Sequence, residues 1–556
     1  MKKYIIHFIL FISLSAGLSA QSITHQDTPK FEMRAVWLTT LGGIDWPRSH
    51  QRAAQQQELR DILDSLKQAG INTVIYQSRI RGTVTYPSVF EPWDVCMTGI
   101  AGKSPGYDPL QFAIDECHQR GMQLHAWVVT IPVGKWNKHG CLQLRKKHAK
   151  LIKRIGEDAF MNPELPETAD YLAKICREIV GNYDVDGIHL DYIRYPEKWR
   201  SRPPKAKGRE HITHIVRAIH HAVKSLKPWV MVSCAPIGKH DDLLRYHSNG
   251  WNARTAVFQD AQQWLREGIM DALFPMMYFR ENQFFPFAID WKEQSDGRIV
   301  APGLGIYFLD PREGRWVLSD IERQLNVIRE LGMGHCFFRT KFLLDNVKGV
   351  YDLVKCFNTT PALIPPMTWQ TAQLPPQPKV HAVGGDGVLR WDCPTPSQSY
   401  LTYNIYASED YPVDISNPHN LVATRLLNNH LTIDTNYTGN YAVTSQDRFG
   451  NESMPTQILR NNGKTLRHSG KTSRISIVDK VLELPKKPST LDAPFIVIET
   501  LNGQAIDIRP YSDKRNYDVS SLPNGIYQWR TLNKKGITHR MGFFSVKHMS
   551  SCPSSE

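Results

Sequence analysis

From Arg34 onward, short apolar runs alternate with longer segments whose apolar positions recur every third or fourth residue. The runs Arg34–Thr40, Asn72–Gln77, Met122–Ile131, Val185–Tyr192, Trp229–Ala235, Asp271–Tyr278, Arg298–Tyr307 and Gly334–Phe338 read as strands. Between and after them, Gln51–Gln68, Asp108–Gln119, Pro166–Asn182, Arg209–Lys227, Val257–Glu267, Phe285–Gln294, Ser319–Leu331 and Asp345–Phe357 carry the helical period. Gly70 and Gly121 stop two of these helices, and Asp108-Pro109 starts one. Strand followed by helix, eight times over, predicts an α/β chain whose main domain is a (β/α)8 TIM barrel across 30–358. A doubly wound open sheet is the competing arrangement, but no Gly-rich phosphate loop follows the first strand.

Beyond the barrel the pattern changes. Residues 359–374 are Pro-rich and read as an extended linker, after which the period falls to two. Short strands at Val388–Trp391, Leu401–Ala407 and Tyr441–Thr444 predict a small β-sandwich over 375–458, and 474–548 a further β-module. The opposite terminus, Met1–Ala20, has Lys2 and Lys3, an apolar run and small residues, the layout of a secretory signal peptide. No segment is long and apolar enough to predict a transmembrane helix, so the chain is expected to be exported without a membrane span.

One stretch concentrates chemistry. In Val185–Pro196 (VDGIHLDYIRYP), His189 and Asp191 share one face of the strand, and Tyr192, Arg194 and Tyr195 follow it. Catalytic groups of such barrels sit at the C-terminal ends of the strands. Those ends offer Trp46, Gln77, Arg79, Trp93, His125, Trp127, His189, Tyr192, Arg194, Tyr278, Tyr307 and Arg339 as substrate contacts. Asp191 is the acid expected to exchange a proton with substrate. Glycosidases pair two carboxylates. Asp45, Asp94, Glu281 and Asp310 are the alternatives for the second, with Glu281 ranked first because FPMMYFRE leaves its strand directly.

Charge narrows the partner. The 556 residues carry a formal net charge of +13, and two basic runs, Lys135–Arg154 and Lys198–Arg209, follow the third and fourth strands. Both would lie on the catalytic face, which points to an anionic substrate drawn in electrostatically. No nucleic-acid motif is present. The nine cysteines are scattered without zinc-type spacing, and His125 and His189 lack a third ligand, so neither metal nor cofactor is expected.

The ordered series MRAVWLTT, INTVIYQSRIRGTVTYPSVFEPWD, QRGMQLHAWV, VDGIHLDYIRYP and DALFPMMYF resembles the glycosyl-hydrolase-like family 10 barrels over about 33–357. That resemblance implies a TIM barrel that cleaves bacterial polysaccharide, with peptide-stripped peptidoglycan, whose muramic lactyl groups bear carboxylates, as the substrate class. Two loops depart from the family pattern: Arg79-Ile80-Arg81-Gly82-Thr83 lacks an acid, and Val129-Thr130-Ile131-Pro132 replaces an Asn-Pro-Tyr-Arg run. The fourth strand is also similar to the chitinase signature DGxDxDxE, but Ile193 stands at the position of its Glu, so that mechanism does not transfer. Residues 375–457 resemble a fibronectin type III domain, and the C-terminal module is similar to Bacteroidetes-type sorting domains. A non-catalytic carbohydrate-binding protein and a polysaccharide lyase are the competing readings.

Overall fold

The computed structural model describes residues 28–199, 202–246, 251–381 and, with short gaps, 387–546. The expected signal peptide Met1–Ala20 and the tail 549–556 lie outside the described residues, apart from which the main domain follows the alternation of its sequence. Eight parallel strands are present: β1 (Arg34–Leu38), β2 (Thr73–Arg79), β3 (Gln123–Val129), β4 (Gly187–Asp191), β5 (Met231–Cys234), β6 (Ala272–Leu273), β7 and β8 (His335–Phe337). Strand β7 comes in two pieces, Ile299–Val300 and Gly303–Leu304, rather than the single strand Arg298–Tyr307 that the pattern predicts. The first piece pairs with β6 and the second with β8, so the ladder begins and ends on the same strand and the sheet closes into a barrel. Pro302, which has no N–H to give to a ladder, lies at the break.

Eight helices wrap the barrel: α1 (Arg52–Gln68), α2 (Pro109–Gln119), α3 (Pro166–Asn182), α4 (Lys205–Lys224), α5 (Ala261–Arg266), α6 (Phe285–Glu293), α7 (Leu318–Glu330) and α8 (Val350–Phe357). Local chemistry explains their starts and faces. Asp108 caps α2 by accepting from the amides of Leu110 and Gln111, with Pro109 in the first turn. In α3 the buried set Ala169, Leu172, Ile175, Cys176 and Ile179 forms one stripe. Such stripes and the outward faces of the strands make the larger core, whereas Ala35, Trp37, Ile75, Trp127, Val129, Phe274 and Cys336 fill the barrel interior.

Two further segments differ from expectation. The basic stretch after β3 is not an open loop. It folds into the helix His139–His148 and a three-stranded antiparallel sheet, Pro132–Lys135, Ile152–Ile155 and Asp158–Met161. Alternation of buried Ala159 and Met161 with less buried neighbours seats that sheet on the barrel core. The Pro-rich stretch is extended but is no free linker. Its Ile364 and Met367 are buried with the barrel interior, where they close the N-terminal end, and Leu363 bridges to Phe31.

The C-terminal region is all β, with sheets built from strands between 379 and 466 and again between 476 and 546. Its first part docks on the N-terminal end of the barrel. Arg425 donates to Asp186 at 2.9 Å and Arg448 to Asp184 at 2.6 Å. Asp186 also accepts from His118 and the Leu124 amide, and these partners hold its carboxyl well below the usual range although burial works the other way. The acid that precedes β4 is therefore structural, and the acid that ends it faces the opposite rim.

Candidate active site

Strand β4 delivers three inward groups in layers: Gly187, His189 and Asp191. The lowest layer has no side chain because the His125 ring fills its place, 2.7 Å from where a Cβ on Gly187 would stand. His189 is fully buried. The Trp37 indole N–H can only donate, so His189 Nε2 accepts from it at 3.1 Å, and Nδ1 carries the proton toward Ser233 Oγ at 3.0 Å. Burial drives the His189 imidazolium far below its ordinary stability, so this ring is neutral and acts as a support.

Above it, Asp191 is only partly covered. Its Oδ2 accepts from the Trp127 indole N–H at 3.1 Å, and its Oδ1 accepts from the Tyr192 amide at 2.6 Å. Just beyond that contact the chain changes direction at Tyr192, whose backbone is left-handed at φ +54°. A non-glycine residue in that region stores strain of the kind found at functional sites. Burial raises the Asp191 carboxyl above the ordinary aspartate value; Arg194, the Trp127 and Tyr192 donors and the more distant Arg81 pull it down and do not win.

The loop after Asp191 turns back over it. Arg194 is buried, stacks 3.7 Å over the Tyr192 ring and donates from Nη2 to Glu197 Oε1 at 3.2 Å. Among the described residues, its Nε and Nη1 find no partner. The Tyr192 hydroxyl donates to Glu197 Oε2. Tyr192 thus bridges two carboxylates, Asp191 through its amide and Glu197 through its phenol. Across the mouth, Tyr278, Tyr307 and Phe338 pack edge to face and tilted at 5.4–5.8 Å, and Tyr278 and Tyr307 are both part-exposed. Such half-open rings can stack on the apolar face of a sugar.

A family model described as glycosyl hydrolase-like 10 matches residues 32–206 and 199–307. Glycosyl hydrolase DigH of Escherichia coli (strain K12) is 32% identical over 304 residues, which cover 48% of this chain and 69% of that protein. The chain belongs to the glycosyl hydrolase-like 10 family. Glycosyl hydrolase YngK of Bacillus subtilis (strain 168) is 28% identical over 516 residues, 82% of this chain and 98% of that protein. A solved structure, the PgaB (BpsB) glycoside hydrolase domain from Bordetella bronchiseptica, matches with a TM-score of 0.42 at 14% identity over 58% of this chain and 98% of that one. With two named glycosyl hydrolases among its relatives, the protein is a glycoside hydrolase.

Several residues expected to touch substrate in this glycosyl hydrolase serve the scaffold instead. Trp46 is fully buried, its indole donates to the Gln55 carbonyl at 2.8 Å, and its ring packs on Tyr76; it is core, not a sugar platform. Arg79 is also fully buried, with Nε and Nη2 on the two oxygens of Glu91 and Nη1 on the Val129 and Thr130 carbonyls, so its fork is spent. Gln77 is buried and holds the β1 loop by accepting from the Thr40 and Leu41 amides. His125 and His189 lie within the barrel, beneath the acid. Burial holds His125 near pKa 4, hence neutral.

Other expected residues reach the rim. Trp127, Tyr192 and Arg194 surround Asp191, and Tyr278 and Tyr307 form the aromatic wall. Trp93 is half-buried against the core on the β2 side. Arg339 pairs with Asp45, a buried acid that also accepts from the Thr39 and Lys341 amides and so ties the β1 loop to the β8 loop. Asp94 caps a short turn at Cys96, and Asp310 is held by Arg312, which leaves both as local structural acids. Glu281 is exposed on a turn after β6 at φ +49°.

Sequence reasoning passed over Arg81 and Glu197. Arg81 is exposed, its charge reaches Asp191, and it stands two residues beyond the buried Arg79 that was chosen. Strand parity gives no signal here, since residues two apart share a face. Trp127 gives a first prediction. In Trp127→Phe the ionised form of Asp191 loses a donor, so its pKa rises further and the basic limb of the kcat/KM profile shifts to higher pH. A profile unchanged on that limb would detach Trp127 from the titrating group.

Proposed function

We propose that this hydrolase is exported and cuts an anionic bacterial cell-wall glycan, with peptide-stripped peptidoglycan strands as the substrate class and Asp191 as the general acid. The observation that carries the substrate reading is the meeting of the two basic segments at the mouth. Lys153 of the first lies 4.1 Å over the ring of Trp199 in the second, so both belong to one apron beside β4. Lys138, Lys146, Lys147, Lys150 and Arg154 are exposed on one side of that contact, and Lys198 and Lys205 on the other. Arg145, 3.5 Å over the Trp136 ring, adds a fixed cation and an aromatic plane. Such a surface raises the local concentration of a polyanion and releases it as salt screens the field.

Asp191 fits the acid role because burial shifts it toward its protonated form, and only that form can hand a proton to the departing glycosidic oxygen. Its activity in that role falls as pH rises through its own pKa. The segment 375–458 as a fibronectin type III-like module, the C-terminal β-module as a sorting domain and Met1–Ala20 as the export signal complete the reading.

The test compares purified protein on peptide-free peptidoglycan strands and on the same strands with their carboxylates converted to neutral amides, with products read by mass spectrometry. Cleavage of the charged strands is expected to be roughly tenfold faster or more, with the advantage lost as sodium chloride is raised. Equal rates on both would sink the anionic reading. Unsaturated ends would identify a lyase, and binding without cleavage a carbohydrate-binding protein.

A further inference from the structure

We propose that Glu197, and not Glu281, is the second catalytic carboxylate of this hydrolase and acts as the general base that activates water opposite Asp191. The inference rests on the reading of Asp191 as the acid, and its geometry is the loop that β4 itself delivers. Asp191 Oδ1 accepts the Tyr192 amide at 2.6 Å, and Glu197 Oε2 accepts the hydroxyl at the far end of the same side chain. Tyr192 holds a left-handed backbone at φ +54°, and its ring reaches along the loop to Glu197. Arg194 stacks on that ring and donates to Glu197 Oε1, so both oxygens of Glu197 are oriented. The side chain remains 40% exposed and therefore open to water and to substrate. Glu281 has none of this: it is exposed on a separate turn after β6, and no described hydrogen bond or ion pair orients its carboxylate.

The two environments also push the carboxyls apart. Burial alone would raise Glu197, but the Tyr192 hydroxyl and the Arg194 charge outweigh it and hold the group below the ordinary glutamate value, while Asp191 is raised. A pair of titratable groups driven in opposite directions gives the assignment of acid and base. A whole tyrosine side chain stands between the carboxylates. That arrangement suits the wide spacing, about 6.5–9.5 Å, that leaves room for a water, rather than the spacing of about 5–5.5 Å at which the second carboxylate attacks the sugar.

In the step, Asp191 gives its proton to the glycosidic oxygen as the bond from that oxygen to the anomeric carbon breaks, the electron pair leaving with oxygen. Water forms the new bond to the anomeric carbon from the opposite face and gives its proton to Glu197. One water is consumed, nothing is oxidised or reduced, and proton exchange with solvent restores both groups. The product has inverted anomeric configuration.

Glu197→Gln, Glu197→Ala, Glu281→Gln and Asp191→Asn are to be compared on the glycan that the wild-type protein cleaves. Glu197→Gln is expected to lower kcat about 10²–10⁴-fold and to abolish the acidic limb of the pH profile. Sodium azide should restore turnover to Glu197→Ala with a glycosyl azide of inverted configuration. Gln retains an acceptor for Tyr192, so an unchanged melting temperature separates loss of the base from loss of the loop. Proton NMR of the wild-type product provides a check that needs no variant, and retained configuration overturns the proposal. So does the reverse ranking, in which Glu281→Gln silences the enzyme and Glu197→Gln spares it. If Glu197→Gln behaves as expected while Asp191→Asn keeps full activity, the reading of Asp191 fails and Glu197 stands without it.

Discussion

Asp191→Asn is expected to lower kcat by about 10²–10⁴-fold while the protein remains folded and still binds glycan. The substitution keeps size and shape, and its single amide oxygen can still accept from one of the two donors, the Trp127 indole or the Tyr192 amide, which reach the two wild-type oxygens at 3.1 and 2.6 Å. What it loses is the proton that leaves with the glycosidic oxygen. Because that proton matters to the chemical step and little to binding, the loss should appear in kcat more than in KM. The basic limb of the pH profile should vanish with it, since burial of Asp191 sets that limb in the wild type. Steady-state kinetics on reducing-end release, with a melting curve as control, measures all three. Wild-type kcat in the folded variant would remove Asp191 from the mechanism.

Glu91→Gln should be the most destabilising of the simple substitutions on this face, by about 3–5 kcal/mol. Arg79 and Glu91 are both 0% exposed and joined through two hydrogen bonds at 2.7 and 2.8 Å, with Tyr171 donating to the same carboxylate at 3.1 Å. Removing the negative charge leaves a guanidinium in the barrel wall with carbonyl partners but no counter-charge, and no water can reach it. Chemical denaturation reads the loss directly. The contrast with Asp191→Asn is the point of the experiment: one variant silences a stable protein, and the other weakens a fold whose acid is intact. A stability change within about 0.5 kcal/mol, the range of ordinary surface substitutions, would show that the pair is open to solvent and return Arg79 to the candidates for substrate contact.

The two periodicities of the sequence determine most of the fold, because they are local. Alternation at two and at three to four residues specifies which faces are apolar, and eight repeats of strand then helix leave a closed parallel barrel as the way to bury them. The helix start at Asp108-Pro109 is equally local and equally readable, whereas the pattern runs one strand through Pro302, where the structure breaks it. Asp191 was legible for a related reason: its place at the C-terminal end of an apolar run fixes the rim to which it belongs.

What composition and spacing could not settle is which rim residues have their polar groups already satisfied, since that depends on partners distant in the chain. Trp46 among Gly, Asp and Pro reads as an exposed ring until the Gln55 carbonyl takes its N–H. Arg79 and Arg81 are alike in sequence, but Glu91 reaches only the first. Asp186 and Asp191 bracket the same strand, and the partners His118, the Leu124 amide and Arg425 mark the former as an anchor. The choice of a second carboxylate shows the limit most clearly. Glu281 leaves its strand directly and looks well aimed on paper, whereas Glu197 lies in a loop whose course is set by one left-handed residue, Tyr192. Backbone direction after a strand end is decided by single-residue torsions and side-chain contacts along the loop, here the Tyr192 phenol on Glu197, and no periodicity encodes it.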